Sequence, residues 1–312
     1  RHGEAALRGG AVASAIVSHL ADNGGLVTAE DFLDYAIIER EPLRLARGDV
    51  ELITNPPPSA GGVLILAALG TIAPDLVVDE ASFYQALADA GTHANGLRTD
   101  DFIDALHDPD FAEALLATPS RKPTGTTNVA VVDSDGMMVS LSSSCGSGSG
   151  VVVPETGILL NNMLGEEDLN PGGFGQVRPG MRMTSMMAPT IAVRRGTPMV
   201  ALGSAGSNRL RSAILQTLVD VIDRGRSVHE AVDLARIHPE RDGIDVEFGV
   251  PDQVCDALAA GGYRLRRWQS RNLFFGGVSA VSSVDGRLDG AGDPRRGGAA
   301  AGVTHDGEVV DL

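Results

Sequence analysis

Hydrophobic residues recur at helical spacing in several parts of the chain. Apolar positions between residues 11 and 20 share one helical face, and Asn23-Gly24-Gly25 ends the pattern. Apolar positions also repeat every three or four residues over 210–222. Further helices are predicted after Thr28, over 63–70 behind the proline-rich elbow 55–62, over 80–118 with breaks near Gly91 and Pro109, after the capping residue Ser227, and from Pro251 to Gly261.

Alternating apolar and polar residues mark the strands. Residues 127–133 and 137–142 alternate on either side of Ser134-Asp135-Gly136, which is typical of a β-hairpin. Further strands are predicted over 42–54, 190–194, 199–202, 263–268 and 274–284. The order of helices, strands, helices and strands predicts an α+β fold, a four-layer αββα sandwich of two antiparallel sheets between helical layers.

Composition excludes several classes of function. The chain has 312 residues, 43% of them hydrophobic, which is enough for a large core. Its net charge of −16 repels phosphate backbones, so nucleic acid is not expected as a partner. Two distant cysteines and two histidines, His229 and His238, at non-helical spacing give no metal or disulfide pattern. The longest apolar run is too short to span a membrane.

The chain starts at Arg1-His2-Gly3 inside a helical pattern. We therefore expect it to be part of a longer protein, with any targeting sequence upstream. The compartment stays open on this evidence, because two unpaired cysteines fit reducing and oxidising environments alike.

The segment "PTGTTNVAVV" (123–132) holds the candidate chemistry. A threonine hydroxyl needs a base to become a nucleophile, and no Ser-His-Asp arrangement is recognisable in the sequence. An α-amine, with a pKa of about 7.7–8.0, can act as that base. Cleavage between Gly125 and Thr126 would place nucleophile and base on one residue, Thr126. Gly125 has no side chain to block attack on its carbonyl.

Several motifs follow this junction in a specific order. They are "PETGILLNNMLGEEDLNP" (154–171), "RMTSMMAPT" (182–190), "GSAGSNR" (203–209) and "GAGDPRRGG" (290–298), preceded by "NGGLVTAEDFLDY" (23–35) and "NPPPSAGG" (55–62). Together they resemble the γ-glutamyltransferase (γ-glutamyltranspeptidase) family, from about residue 5 to the end of the chain. The resemblance implies an N-terminal nucleophile hydrolase that cuts itself before the first threonine of a Thr-Thr pair.

The resemblance also implies the organisation of the protein. Residues 1–125 would form the C-terminal part of the large subunit and residues 126–312 the small subunit, together one folded domain. The substrates would be γ-glutamyl amides such as glutathione, with water or an amine as acceptor and without a cofactor or metal. In the family, an arginine upstream of this region binds the substrate carboxylate. We therefore expect the 312-residue chain alone to be poorly active.

The family's site residues carry over one at a time. Thr126 matches the nucleophile, and a hydroxyl within Ser142–Ser144, with Ser144 favoured, would bond to its α-amine. Cys145 stands near a family asparagine, and Asn128 replaces a family histidine.

Substrate binding is implied at two further positions. Glu166, with Glu167 as a close rival, matches the acidic residue that binds the α-ammonium group. Ser185 matches a serine that binds the α-carboxylate, while Met186 stands where a second serine is usual. From the residues alone, the segment around Glu166 is also compatible with a solvated loop. The segment around Ser185 is also compatible with the ordinary start of a strand.

Gly206 and Ser207 match the glycine pair whose N–H groups form the oxyanion hole. Backbone donors suffice for that role. A phosphate-binding loop is the competing interpretation, but the GxGxxG spacing and the Walker lysine are missing.

Two other functions remain open. Met186 and Cys145 are compatible with an acylase of the same superfamily that acts on glutaryl or other acyl amides. The chain could also be an inactive member that keeps the fold, in which case it would not be cut.

Overall fold

The computed structural model describes residues 4–107, 126–166, 169–170, 173–240 and 242–311. These residues form two compact units. Unit 1 comprises the described residues within 1–41 and 145–163, and unit 2 those within 42–144 and 164–312. The predicted subunit boundary at residue 126 lies within the segments of unit 2, and the subunit assignment stays a prediction.

The elements of the described residues alternate between helix and strand along the chain. The α-helices are α1 (Ala5–Arg8), α2 (Ala11–Asp22), α3 (Ala29–Asp34), α4 (Ala60–Thr71), α5 (Glu80–Gly96), α6 (Asp100–Ala105), α7 (Arg209–Ile222), α8 (Val228–Asp233) and α9 (Asp252–Ala260). The strands are β1 (Leu43–Arg47), β2 (Val50–Thr54), β3 (Thr127–Val132), β4 (Met138–Ser143), β5 (Val152–Val153), β6 (Ile158–Leu159), β7 (Thr190–Arg194), β8 (Thr197–Ala205), β9 (Ile237–Glu240), β10 (Gly243–Val246), β11 (Leu265–Arg267), β12 (Gly277–Val284), β13 (Arg287–Gly292), β14 (Ala301–Val303) and β15 (Val309–Asp311).

A six-stranded antiparallel sheet organises unit 2, in the order β1-β2-β7-β8-β12-β13. Helices α4 and α7 pack on one face of this sheet, where Val200 and Leu202 of β8 join the main hydrophobic core. Helix α4 is buried from Ala60 to Leu69, so its apolar residues cover all of its faces.

The hairpin of β3 and β4 lies on the opposite face of β8. The Ser140 hydroxyl donates to the Leu202 carbonyl over 2.8 Å, and the Asn128 side chain occupies the space above Gly203. Strand β8 is consequently buried from Met199 to Ala205, as expected for a strand covered on both faces. Helices, the large sheet and the hairpin give three stacked layers in unit 2, and the fourth layer stays a prediction.

A separate three-stranded sheet corrects the expectation of antiparallel sheets alone. Strands β9 and β10 are antiparallel, but β10 and β11 are parallel. Helix α9 connects β10 to β11, and a crossover of this kind brings two strands into parallel pairing.

Three predicted boundaries also differ from the structure. Residues 42–54 form the hairpin β1–β2 instead of one strand, and α4 begins at Ala60 instead of residue 63. Helix α5 continues through Gly91. The glycine is needed there for packing, because Pro239 fills the space that a side chain at this position would take. The break predicted near Pro109 lies outside the described residues.

Candidate active site

Thr126 immediately precedes β3 and is half-buried. Gly125 lies outside the described residues. In the β3–β4 hairpin, Thr127 pairs with Ser143 and Asn128 with Ser142. Thr126 and Ser144 are the next residues beyond the last pair of this register.

Ser142 belongs to a hydrogen-bond network inside the hairpin. The Ser142 hydroxyl accepts a hydrogen bond of 3.1 Å from Asn128 Nδ2, which also donates to the Ser140 hydroxyl and the Leu141 carbonyl. Of the three serines proposed to contact Thr126, Ser142 and Ser143 pair with Asn128 and Thr127, and Ser144 stays the favoured candidate.

Asn128 fixes the start of β3 against the large sheet. Its side chain is buried, and any Cβ at residue 203 would collide with its amide. Strand β3 also contacts β12, the neighbour of β8 in the sheet. Asn128 was noted from sequence only as a departure from a family histidine, and the packing gives it a structural role.

Strand β8 ends in a turn at Gly206 and Ser207 before α7. Gly206 has φ +116°, and a Cβ there would lie 2.7 Å from Gly276 Cα. Ser207, at φ +65°, is a rare left-handed non-glycine residue, and its hydroxyl accepts a bond from Asn208 N–H. Contacts and backbone geometry both require glycine at 206.

This turn lies at the positive end of a 14-residue helix. Asn208, the N-cap residue, is fully buried, and its side-chain Oδ1 accepts from Arg98 Nη1 at 3.0 Å and from Arg211 Nη2 at 2.6 Å. Both arginines are buried. The helix dipole and the two guanidinium groups together favour negative charge beside the turn.

Glu166 has a buried side chain, and its backbone carbonyl accepts from the Asn170 side chain at 2.8 Å. Burial contradicts the interpretation of Glu166 as part of a solvated loop. Glu167 lies outside the described residues.

Ser185 lies where the chain approaches the start of α4. Its carbonyl accepts from Gly61 N–H and the Ser59 hydroxyl, and its own hydroxyl accepts from Met187 N–H at 3.0 Å. Met186 is buried in the main hydrophobic core. The contacts of β3 and β4 with β8 place the start of β3, next to Thr126, on the large sheet. The assignment of Ser144, Glu166 and Ser185 to one site with Thr126 stays a prediction.

The turn Asp293–Arg296, which we call the DPRR turn, was not singled out as part of the site by the sequence. Its Arg295 guanidinium is fully buried and bonds to Glu247 at 2.6 Å and Asp293 at 3.2 Å. Arg236 completes the network with a 2.7 Å contact to Asp293. Burial opposes ionisation of Asp293, but the two arginines hold its pKa below the usual range. The sequence did offer one signal for this network, namely the acidic and basic residues that stand close together in Asp293-Pro294-Arg295-Arg296.

His238 is held by hydrogen bonds inside the protein. It is buried, with Nδ1 2.7 Å from the Ser212 hydroxyl and Nε2 2.8 Å from the Glu240 carboxylate. Both ring nitrogens are therefore engaged, which the spacing of the histidines could not reveal.

A cavity of about 850 Å³ lies at the other end of β8. Its lining includes Met199, Ser227, Asp285, Arg287 and other residues from β12, β13 and the ends of α7 and α8. None of the predicted site residues lines it. The cavity is thus separate from the candidate active site.

Sequence comparison connects the chain to one family. The family model described as gamma-glutamyltranspeptidase matches residues 1–118 and 108–303. The acylase ACY 1 proenzyme of Pseudomonas sp. (strain V22) is 31% identical over 332 aligned positions, covering 97% of this chain. The glutathione hydrolase proenzyme of Escherichia coli (strain K12) is 29% identical and covers 92% of it. The chain spans 59% and 56% of the length of these relatives.

Structural comparison agrees at the level of the fold. The cephalosporin acylase of Bacillus halodurans superimposes with a TM-score of 0.75 at 24% identity, covering 98% of this chain and 59% of the acylase. No helix in the described ranges is long and apolar enough to cross a bilayer.

Proposed function

Because the chain belongs to the gamma-glutamyltranspeptidase family, we propose that it carries the core of a self-processing threonine hydrolase or transferase. Its substrates would be γ-glutamyl amides such as glutathione. The observation that supports this most is the position of Thr126. It immediately precedes β3, which packs on β8, and β8 leads into the Gly206-Ser207 turn.

Self-processing would create the nucleophile. Thr126 Oγ attacks the carbonyl carbon of Gly125, the bond from that carbon to the Thr126 nitrogen breaks, and the hydroxyl proton passes to the nitrogen. Water then hydrolyses the resulting ester. The products are a carboxylate on Gly125 and a free amine on Thr126.

The two pieces would stay together after the cut. Strand β2 precedes the junction in sequence and β7 follows it, yet they pair over five residue positions from Val50–Arg194 to Thr54–Thr190. Helices α4 and α7 also share the main core across the same boundary.

In turnover, the Thr126 amine takes the proton of its own hydroxyl while Oγ bonds to the γ-carbonyl carbon. The carbonyl electron pair moves onto oxygen, next to the N–H groups of Gly206 and Ser207. When the intermediate collapses, the carbon–nitrogen bond breaks and the amine product leaves with the proton. Water or an acceptor amine then releases the glutamyl group from Thr126.

Substrate selection would fall to the segments around Glu166 and Ser185. A buried carboxylate at Glu166 would bind the α-ammonium group of a glutamyl substrate, with Glu167 as the alternative. The Ser185 hydroxyl would bind the α-carboxylate. Both roles are taken from the family resemblance, and the burial of Glu166 supports the first.

An acylase that accepts glutaryl or other acyl amides is the second candidate. Met186 is buried in the core, so it supplies no polar contact to a glutamyl carboxylate. Two of the relatives are acylase proenzymes, which favours this alternative too.

A comparison of two anilides separates the candidates. Both substrates present the same amide, but only the γ-glutamyl anilide has an α-ammonium group, whereas the glutaryl anilide lacks it. We expect faster release of aniline from the γ-glutamyl compound. Exclusive cleavage of the glutaryl compound would establish the acylase instead. An uncut chain without turnover of either compound would indicate an inactive member of the family.

A further inference from the structure

The DPRR turn holds two neighbouring arginines in opposite environments. The Arg295 side chain is fully buried in the network with Glu247 and Asp293. Arg296 is exposed as a residue and, within the described ranges, forms no ion pair. Among the described residues the Asp293 carboxylate acts on this charge, but only without direct contact.

The Arg296 side chain follows a path that two glycines leave open. It crosses Gly277 so closely that a Cβ there would collide with Arg296 Cδ. At its end, Nη2 would lie 3.1 Å from a Cβ placed on Gly206. Nη2 also donates to the Leu273 carbonyl over 3.0 Å, which orients the guanidinium.

The base of the turn is rigidly held. The Asp293 carboxylate caps the turn by accepting from Arg295 N–H at 3.0 Å and also accepts from Val278 N–H at 3.0 Å. The buried ion pairs of Arg295 also hold the backbone of Arg296, the next residue in the chain, in place. A guanidinium on such a base requires little reorganisation when charge develops near it.

We infer that Arg296 stabilises the oxyanion formed at the Gly206-Ser207 turn, adding a positive charge to the two backbone donors. This rests on the proposed function, since the oxyanion arises only if an amide carbonyl is attacked there. Although the residue is exposed as a whole, its guanidinium end packs against Gly206 and Gly277, and this partial desolvation lowers the pKa of Arg296, but arginine stays protonated at neutral pH. Reduced hydration also strengthens its interaction with an anion.

The test compares three variants on γ-glutamyl-4-nitroanilide in the complete protein. We expect Arg296→Met to lower kcat by about tenfold or more, with little change in KM. This is less than the roughly 10²–10³ of a lost direct donor, because the backbone N–H groups remain. Arg296→Lys keeps the charge and should recover part of kcat. Arg287→Met, at an exposed arginine of the distant cavity, should match the unsubstituted protein.

The outcomes separate the inference from the proposed function. If the unsubstituted protein does not turn over, the proposed function fails and the role of Arg296 fails with it. If it turns over and Arg296→Met leaves kcat unchanged, only the inference is overturned. A loss confined to KM, and to substrates with a carboxylate on the acyl group, would also overturn it by making Arg296 a carboxylate-binding residue. If Arg296→Lys and Arg296→Met lost the same fraction of kcat, the positive charge would not account for the effect, and the inference would be overturned.

Discussion

The two ends of strand β8 are built in opposite ways. At the Gly206 end, backbone segments approach so closely that a single added Cβ collides with Gly276, and charged side chains are buried beside the turn. At the Met199 end, the strand borders a cavity of about 850 Å³ whose lining includes the exposed residues Asp285, Arg287 and Leu288. Substitutions should therefore change turnover and stability strongly at the Gly206 end and weakly at the Met199 end.

The largest effect is expected for Thr126→Ala. It removes both the nucleophile and the group that starts self-cleavage, so turnover should fall by about 10⁴-fold or more and the chain should stay in one piece. Ser134→Ala, at an exposed serine in the turn of the same hairpin, is the matched control. Normal turnover by Thr126→Ala would end the proposal for this residue.

Arg295→Met tests the rigidity of the Gly206 end. It leaves Glu247 and Asp293 buried with one cation fewer, so the free energy of unfolding should fall by about 3–5 kcal/mol. Arg287→Met, at the other end, should change it by less than about 0.5 kcal/mol. Denaturant unfolding measures the free energy of unfolding of both variants. If both lost the same amount, the proposed difference between the two ends of β8 would be wrong.

Gly206→Ala and Ser207→Gly form a pair at the turn itself. The first adds a Cβ that meets Gly276 and should reduce turnover by about 10²-fold or more, since it displaces an oxyanion donor. The second keeps the backbone N–H and relieves a left-handed serine, so turnover should change by no more than about threefold. A large loss in Ser207→Gly would instead assign a role to the hydroxyl, which already contacts Asn208 N–H.

The smallest effect is predicted at the Met199 end, in the capping box of α8. The backbone N–H and hydroxyl of Ser227 lower the pKa of Glu230, so the unfolded chain takes up this proton more readily than the folded one. The stabilisation is present above the unfolded pKa of about 4.5 and is lost as pH falls through the lower folded value. Glu230→Gln should flatten the decline of Tm between pH 5 and about pH 3. An unchanged decline would contradict this assignment.

Local patterns were sufficient for the elements that carry the site. Alternation and the Ser-Asp-Gly turn predicted β3 and β4, and helical spacing predicted α7 nearly to its ends. Both are strongly periodic and have clear turn or capping signals, which makes their type readable from sequence. The sequence already favoured Ser144 among three serines, and in the structure it is the residue that follows the last pair of the β3–β4 register.

Tertiary contacts explain what the patterns missed. Gly91 reads as a helix break, but the space it leaves is filled by Pro239 from a distant segment. The network of Arg236, Glu247 and Arg295 unites three separate segments, so no local pattern could show that Arg295 is buried while its neighbour is exposed. The parallel pairing of β10 and β11 likewise depends on the path of the connecting helix.

The central claim is that the chain is cut before Thr126 and that the new terminus performs the chemistry. Intact mass measurement with N-terminal sequencing of the active protein tests it directly. The account predicts a fragment that begins Thr126-Thr127-Asn128 and co-purifies with the preceding piece. A single uncut chain that hydrolyses a γ-glutamyl amide, or an active fragment that begins at another residue, would contradict it.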